Sequence, residues 1–283
     1  MDGIIVINKP KGITSRDVVN KVCKILNTKK VGHTGTLDPI ATGVLVICVG
    51  KSTKLVEVLT SNDKEYIAEV KLGILTDTLD TEGNILKEEK TIINKEDLIN
   101  VLDSFIGEYM QEVPIYSAVK INGKKLYEYA RNNEKIDLPK RKVCIKNIEL
   151  LEFNSDSYKF KVSVSKGTYI RSLIKDINDK LGIIGVMSNL KRIRQGKFDI
   201  NNSYTLEDIE NNNYKPLSIT DVLKDENCVI IEDNLFNIVK NGGLIDNVYN
   251  SDFVTFIYNN EVVAIYQEYD KDSSKMKPYK MFL

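Results

Sequence analysis

The pattern of apolar positions near the start of the chain predicts two buried strands with a helix between them. Residues 3–8 and 44–49 are almost entirely apolar runs of strand length. Ser15 is expected to cap the helix, because apolar residues then recur at helical spacing, at Val18, Val22, Ile25 and Leu26. Residues 32–43, between this helix and the second strand, are rich in glycine and predict a loop.

The middle of the chain carries further strand patterns. Alternation of apolar and polar positions predicts a strand over residues 66–72. Residues 143–153 and 158–165 predict a hairpin, and residues 115–121 predict a strand that turns back at Asn122-Gly123.

Helical spacing in the same region predicts two more helices. One begins at Asn94, and the other spans residues 168–181 and ends at Gly182. Since helices interleave with strands that are joined by hairpins, we expect an α+β fold. Its sheet should be mixed and largely antiparallel, with flanking helices.

The last third of the chain predicts a second, smaller unit. The acidic segment 201–226 resembles a connector, in which Thr205 caps a short helix. Beyond it the pattern is all-β, and Asn259-Asn260 between two apolar runs predicts a tight hairpin. We therefore predict a catalytic domain over residues 1–215 and a small β-barrel-like domain over residues 216–283.

Composition is that of an ordinary globular protein, with 42% hydrophobic and 28% charged residues. The apolar runs near residues 4–7 and 44–49 are far shorter than a secretory signal or a membrane helix of about 20 residues requires. We expect a cytoplasmic protein without membrane contact, a monomer with no obligate protein partner.

Charge is balanced overall but unevenly distributed. Residues 120–200 carry 19 basic and 9 acidic side chains, whereas residues 201–283 carry 7 and 14. A locally basic stretch in a neutral protein favours a polyanionic partner such as nucleic acid. A solvated, lysine-rich face is the alternative.

The scarcity of histidine restricts the chemistry. His33 is the only one, which excludes a zinc site with two histidines. The four cysteines are dispersed among apolar neighbours and indicate buried thiols in a reducing compartment. Chemistry must therefore depend mainly on carboxylate, phenol or hydroxyl groups.

The loop 32–43 is the strongest candidate site that the residues themselves indicate. It holds three glycines, His33 and a single carboxylate, Asp38, whose backbone is restricted by Pro39. A stiff loop around one carboxylate suits a positioned nucleophile, although Asp-Pro is also a common turn initiator. Gly50-Lys51-Ser52 does not complete a phosphate-binding loop, because position 45 is leucine rather than glycine.

This loop resembles the catalytic loop of the bacterial tRNA pseudouridine-55 synthases, the TruB-type family. Five further segments resemble motifs of that family in the same order along residues 3–198. They are Lys9 to Ser15; Lys64-Glu65-Tyr66 with Leu72-Gly73 and Thr76 to Asp80; Pro114 to Lys120 with Tyr127, Ala130 and Arg131; Lys166 to Leu173; and Leu190 to Arg194 with Gly196. The C-terminal part resembles, more weakly, the small PUA-like RNA-binding domain of these enzymes.

The resemblance implies a reaction and the residues that perform it. Asp38 would be the nucleophile in the isomerisation of uridine to pseudouridine in the T-loop of tRNA, at position 55, on a base flipped out of its stack. Arg171 would pair with Asp38, and Tyr66 would stack on the uracil. His33, Tyr169, Leu190 and Lys9 would bind the RNA, Lys9 at its phosphates. No cofactor and no metal is implied.

Two alternatives remain. One is a non-catalytic module that binds RNA or assists tRNA folding, and the other is a synthase for a different RNA. The presence of Asp38, Tyr66 and Arg171 argues against the first. One departure from the family pattern is Gly185-Val186-Met187, where the family often has Gly-Ala-His, so no second histidine takes part.

Overall fold

The computed structural model describes residues 1–249 and 251–283. The strands are β1 (Gly3–Lys9), β2 (Val31–His33), β3 (Thr42–Val49), β4 (Lys64–Leu72), β5 (Ile74–Thr76), β6 (Ile85–Glu88), β7 (Gly107–Glu112), β8 (Lys120–Ile121), β9 (Lys124–Lys125), β10 (Lys140–Phe153), β11 (Ser157–Val164), β12 (Gly185–Gln195), β13 (Phe198–Asp199), β14 (Cys228–Ile230), β15 (Ile245–Asp246), β16 (Phe253–Tyr258), β17 (Glu261–Tyr269) and β18 (Asp272–Met281). The helices are α1 (Ser15–Ile25), α2 (Val56–Thr60), α3 (Lys95–Asp103), α4 (Leu126–Arg131), α5 (Ile170–Leu181), α6 (Leu206–Glu210), α7 (Ile219–Leu223) and α8 (Asp233–Val239), and short 3-10 turns span Gly50–Leu55 and Ile200–Asn202.

A nine-stranded sheet forms the body of the protein. Its main path runs β1-β3-β12-β4-β11-β10-β7, and β2 and β13 pair with β3 and β12 at the side. Neighbours are antiparallel except β3 and β12, which are parallel. The expected mixed, largely antiparallel sheet is confirmed. The parallel contact places the start of β3 beside the end of β12, where the Asp38 loop enters the sheet.

Strand β4 shows how the sequence pattern produces this sheet. Its buried positions are 64, 66, 68, 70 and 72, so the predicted alternation is confirmed. The apolar ones pack in one large cluster with α3 and α5, which cover that face of the sheet. Such a pattern buries one face of an antiparallel strand and fixes its register. Tyr66 is thereby held towards the protein interior.

The helix after β1 begins one residue earlier than expected. Thr14, not Ser15, is the N-cap: its side chain accepts from the backbone of Asp17, while the Asp17 carboxylate accepts from the backbone of Thr14. This reciprocal arrangement satisfies two donors at the helix start. Ser15 is buried in the first turn and is free to bind elsewhere.

Two predicted boundaries in the middle of the chain differ from the structure. Within residues 115–121 only Lys120–Ile121 are in a strand, which turns at Asn122-Gly123 to β9 as expected. Both turn residues have positive φ, 51° and 81°. The predicted helix over 168–181 begins at Ile170 instead, and it ends at Gly182, whose φ of 67° is the expected left-handed cap.

The C-terminal region forms a separate five-stranded sheet in the order β14-β16-β17-β18-β15. The predicted hairpin at Asn259-Asn260 is confirmed, with φ of 50° and 63°. The expectation of an all-β pattern beyond residue 226 is wrong, because α8 lies within that part of the chain. Val222, Val262 and Phe282 pack in one cluster with the β1 and β3 residues Ile4 and Val46, so the two sheets share apolar contacts.

Candidate active site

Asp38 and Arg171 lie together, although 133 residues separate them in the chain. Arg171 Nε is 3.0 Å from Asp38 Oδ2, and Nη2 donates to Oδ1 at 3.2 Å. The arginine side chain is only 6% exposed, whereas that of the aspartate is 34% exposed. A two-point pair of this kind fixes the orientation of the carboxylate. The carboxylate is thus held on one side and open on the other.

Arg171 is itself fixed by two other segments. Its Nη1 donates to the carbonyl of Thr78 at 3.0 Å, and Nη2 also donates to the carbonyl of Tyr116 at 3.1 Å. Thr78 lies between β5 and β6, and Tyr116 lies after β7. Each of these segments contains one of the sequence motifs, so a single guanidinium gathers three motifs around Asp38.

The loop that carries Asp38 is bound on one side by α1 and β1. The Ser15 hydroxyl accepts from Leu37 N at 2.8 Å and lies 3.1 Å from Leu37 O. Pro39 O accepts from the backbone of Gly12 at 2.8 Å and from the ammonium of Lys9 at 3.3 Å. The residues immediately before and after Asp38 are therefore both anchored.

Strand β12 binds the same loop from the other side. Arg192 donates to the carbonyls of Val44 and Gly35, at 2.6 and 2.9 Å. The Gln195 amide donates to the Thr34 hydroxyl at 2.6 Å. Neither side chain is exposed, at 1% and 0%. The loop is rigid because buried polar side chains hold its backbone, in addition to the stiffness that Pro39 imposes.

Tyr66 and Leu190 lie where the loop meets the apolar core. Both are buried, at 7% and 6% exposure, in the cluster that also contains Leu37, Ile40 and Ile170. These three residues lie beside Asp38 and Arg171 in the chain. The phenol of Tyr66 and the side chain of Leu190 thus belong to the apolar environment next to the Asp38–Arg171 pair.

Tyr169 precedes α5, the helix that carries Arg171, and is half-buried. Gln111 of β7 holds its backbone on both sides: Tyr169 N donates to Gln111 Oε1 at 2.8 Å, and Gln111 Nε2 donates to Tyr169 O at 3.2 Å. Gln111 Nε2 also contacts the Tyr109 hydroxyl at 2.6 Å. This amide fixes where α5 begins and hence where Arg171 projects.

His33 lies in β2, immediately before the loop, and is half-buried. Its pKa is lowered by burial and further by the positive charges of Arg16 and Arg192. Its Nδ1 is buried and has no hydrogen-bond partner among the described residues. The imidazole is thereby favoured in its neutral form next to the Asp38 loop.

The placement of Lys9 differs from a phosphate-binding position. Lys9 is fully buried, and its ammonium donates to the carbonyls of Pro10, Ile13 and Pro39 at 2.9, 2.7 and 3.3 Å. Burial lowers its pKa to about 8, against the opposing influence of Asp38. Lys9 cross-links the first motif to the Asp38 loop and does not present its charge on the surface.

The basic stretch expected over residues 120–200 does reach the surface at many positions. Exposed lysines and arginines include Lys120, Arg131, Lys135, Lys140, Arg141, Lys142, Lys146, Lys166, Lys180, Lys191 and Lys197. Lys124 and Lys125 lie over the rings of Tyr129 and Tyr127, so cations and aromatic faces are adjacent next to the Tyr116 segment. This combination of charge and aromatic faces can meet both phosphates and bases.

Sequence reasoning did not single out Ser15, Gln111, Arg192 or Gln195 as functional residues. Ser15 was assigned to capping, and Arg192 appeared only within a motif. These residues share one feature that the sequence shows: each is polar but stands where the apolar pattern predicts a buried position. A buried polar side chain needs a hydrogen-bond partner inside the protein. Met187, in contrast, is a core residue opposite Val70 on β4, so no polar group occupies the place of the family's histidine.

Residues 1–249 and 251–283 contain no group of three histidine, cysteine, aspartate or glutamate side chains arranged to hold a metal ion. In the same residues, no helix has the length and apolar character to cross a membrane.

Comparison with known proteins identifies related chains. The model of the TruB family pseudouridylate synthase N-terminal domain matches residues 23–170, and that of the tRNA pseudouridylate synthase B C-terminal domain matches residues 171–225. The tRNA pseudouridine synthase B of Clostridium tetani is 45% identical over 95% of this chain and 93% of its own. That of Clostridioides difficile is 44% identical over 99% and 91%.

Solved structures agree with the fold. A Cbf5-Nop10-Gar1 complex contains a chain that superposes with a TM-score of 0.75 at 28% identity, over 99% of this chain and 85% of the other. A chain of an H/ACA RNP bound to a substrate RNA containing 2'-deoxyuridine gives 0.74 at 26% identity, with the same coverages. The predicted fold, a mixed sheet with helices and a small C-terminal β unit, is confirmed over nearly the whole chain.

Proposed function

Because this chain belongs to the TruB family of pseudouridylate synthases, we propose that it isomerises uridine to pseudouridine at position 55 in the T-loop of tRNA, with Asp38 as the nucleophile. The main support for this proposal is the Asp38–Arg171 pair. It supplies one oriented carboxylate that is partly open to a ligand, and the residues beside it in the chain pack in the apolar cluster that contains Tyr66.

The reaction breaks the bond between the ribose C1′ and uracil N1 and forms one between C1′ and C5. A proton leaves C5 and another is gained at N1, so atoms balance and no electrons are transferred to a second molecule. Asp38 would attack the target nucleotide so that the uracil detaches, rotates and rejoins. The guanidinium of Arg171 would keep the carboxylate oriented for the attack.

Tyr66 would stack on the detached uracil, with its hydroxyl available for the C5 proton. Its position on β4 supports this role, since the ring lies in the apolar cluster that also contains Leu37. Excluding water from one face of the site strengthens the electrostatic interactions within it. Leu190 would line the same pocket, with Tyr169 at its edge.

Reaching a base in a folded loop requires flipping it out of its stack, at a cost of a few kcal/mol. A rigid loop suits this task, because it does not lose further freedom when the nucleotide enters. The bonds from Ser15, Lys9, Arg192 and Gln195 supply that rigidity. His33, neutral and next to the loop, would fill the space that the base leaves or contact the backbone.

The RNA would be bound over a wider surface than the pocket. The basic side chains of residues 120–200 would meet its phosphates, with an affinity that falls as salt rises. We also assign residues 1–215 to catalysis and residues 216–283 to a PUA-like RNA-binding domain. The enzyme would act as a cytoplasmic monomer, with tRNA as its partner and no cofactor.

The decisive experiment incubates the protein with an unmodified tRNA transcript and maps pseudouridine nucleotide by nucleotide. A single product in the T-loop, absent with Asp38→Asn, is the expected result. Product only outside the T-loop would contradict the substrate assignment. No product with any tRNA, from folded protein, would contradict the proposed activity.

A further inference from the structure

Two buried polar side chains of β12, Arg192 and Gln195, lie beneath the Asp38 loop and bind its backbone. Arg192 is the largest fully buried side chain in the described part of the chain, and Gln195 is also fully buried. Arg192 contacts Gly35 across 157 residues of sequence, and Gln195 contacts Thr34 across 161. These residues and Lys191, which pairs with Thr42, flank the loop where it joins β2 and β3.

Arg192 is buried, yet it forms no ion pair with a carboxylate of the described residues. The ion pairs that arginines make with carboxylates in residues 1–249 and 251–283 belong to Arg171 and Arg194. Arg192 donates instead to the backbone carbonyls of Gly35 and Val44. A buried cation without a carboxylate partner is unfavourable in a site that needs only packing. Its presence indicates that these carbonyls must be held in place.

Gln195 completes the arrangement. Its amide nitrogen lies 2.6 Å from the Thr34 hydroxyl, 3.4 Å from the Thr34 carbonyl and 3.1 Å from the Leu59 carbonyl. A β-carbon on Gly35 would lie 3.3 Å from Arg192 Nη1 and 3.6 Å from Gln195 Oε1. The backbone of Thr34 and Gly35 therefore rests directly on the two side chains.

We propose that Arg192 and Gln195 are positioning residues for the chemical step, which hold Thr34 and Gly35 and thereby set the position of the Asp38 carboxylate. The inference rests on the proposed function, because it takes Asp38 as the reacting group. Since an error of about 1 Å in a reacting group can cost about 100-fold in rate, the effect should appear in catalysis and not in RNA affinity.

His33 provides a reporter for the same segment. It is the only histidine in the chain, so its ring signals in a proton–carbon NMR spectrum need no assignment. It precedes Thr34, and the charged groups that act on it are Arg16 and Arg192. Removing the charge of Arg192 should raise the pKa of His33 and move its ring signals, whether or not RNA is present.

The test compares Arg192→Met, Arg192→Lys and Gln195→Met with the wild type at a temperature where all are folded. The single-turnover rate of pseudouridine formation at saturating tRNA should fall about 100-fold in Arg192→Met and less in the other two. The dissociation constant for tRNA should change by less than about threefold, a shift too small to account for the rate. The His33 signals should move in Arg192→Met.

A matched control separates positioning from stability. Leu98→Ala opens a cavity under α3, away from the β12 bonds, and should lower the melting temperature while leaving the single-turnover rate unchanged. If Arg192→Met loses rate only in proportion to its unfolded fraction, as this control does, the positioning role is wrong. If Arg192→Met does not fold, Thr34→Val tests the other support of the loop, because it removes only the hydroxyl to which Gln195 donates. An unchanged rate in Thr34→Val and Gln195→Met together would overturn the proposal.

Measuring Asp38→Asn in parallel keeps the two proposals separate. If the wild type makes no pseudouridine, or Asp38→Asn is fully active, the proposed function fails. The His33 signals in Gln195→Met, which retains the charge of Arg192, then still show whether the β12 bonds hold the loop. If Asp38→Asn is inactive and the β12 variants retain the wild-type rate, only the positioning proposal fails.

Discussion

Gly43 and Arg192 lie opposite each other on parallel strands, and a β-carbon on Gly43 would lie 2.2 Å from the Arg192 carbonyl oxygen. Gly43 also has a φ of 100°, which other residues rarely adopt. Glycine is therefore required where the Asp38 loop enters β3. The close approach of these two backbones brings the Arg192 side chain beneath the loop.

We expect Gly43→Ala to lower the free energy of unfolding by at least about 2 kcal/mol, since it combines backbone strain with a clash against a fixed carbonyl. Gly107→Ala is the matched control: φ at Gly107 is 114°, but nothing lies within 4 Å of a β-carbon there. Gly107→Ala therefore introduces the backbone strain without a steric clash. Equal destabilisation of the two variants in urea unfolding would show that the Arg192 contact is unimportant.

Asp38→Asn should reduce turnover by at least about 10⁴-fold, because it removes the nucleophile while keeping the size of the side chain. The affinity for tRNA should be nearly unchanged, as measured by filter binding. The substitution also leaves Arg171, which is 6% exposed, without its carboxylate. A loss of about 1–3 kcal/mol in stability should accompany it. Turnover near that of the wild type would remove Asp38 from the chemistry.

The central part of the site could be predicted from sequence because its residues are close together in the chain. Asp38, His33 and the glycines of the loop lie within twelve positions, and a local pattern of this kind can be recognised from the sequence without knowledge of the structure. Resemblance then supplied Arg171 and Tyr66. The pairing of Asp38 with Arg171 is present in the structure as expected.

The supports of the site could not be predicted in the same way. Gln111 contacts Tyr169 across 58 residues, and Gln195 contacts Thr34 across 161, so each bond depends on the register of distant strands. The family resemblance implied that Lys9 would bind RNA phosphates. Three backbone carbonyls bind its ammonium instead, an arrangement that depends on the fold and not on its neighbours in the chain.

Tyr66→Phe should slow pseudouridine formation by about 100-fold if the hydroxyl handles the C5 proton, because general acid–base catalysis typically contributes that much or more. Stability should change by less than about 1.5 kcal/mol, since only one hydroxyl is lost from a buried ring. Single-turnover rates at saturating tRNA provide the measurement. A rate equal to that of the wild type would leave Tyr66 as a stacking and packing residue.

Gln111→Met should impair catalysis from outside the pocket. The methionine has nearly the same shape, but it can neither accept from Tyr169 N nor donate to Tyr169 O, the two bonds that fix the start of α5. An unpaired buried N–H costs about 1–3 kcal/mol of stability. The shift of Arg171 against Asp38 should lower kcat more than it raises KM.

Tyr109→Phe is the control, since it removes only the hydroxyl that Gln111 also contacts and leaves both bonds to Tyr169. If Gln111→Met and Tyr109→Phe have the same kinetics, the Tyr169 bonds do not position Arg171. If only Gln111→Met loses kcat, the geometry of the Asp38–Arg171 pair depends on where α5 begins.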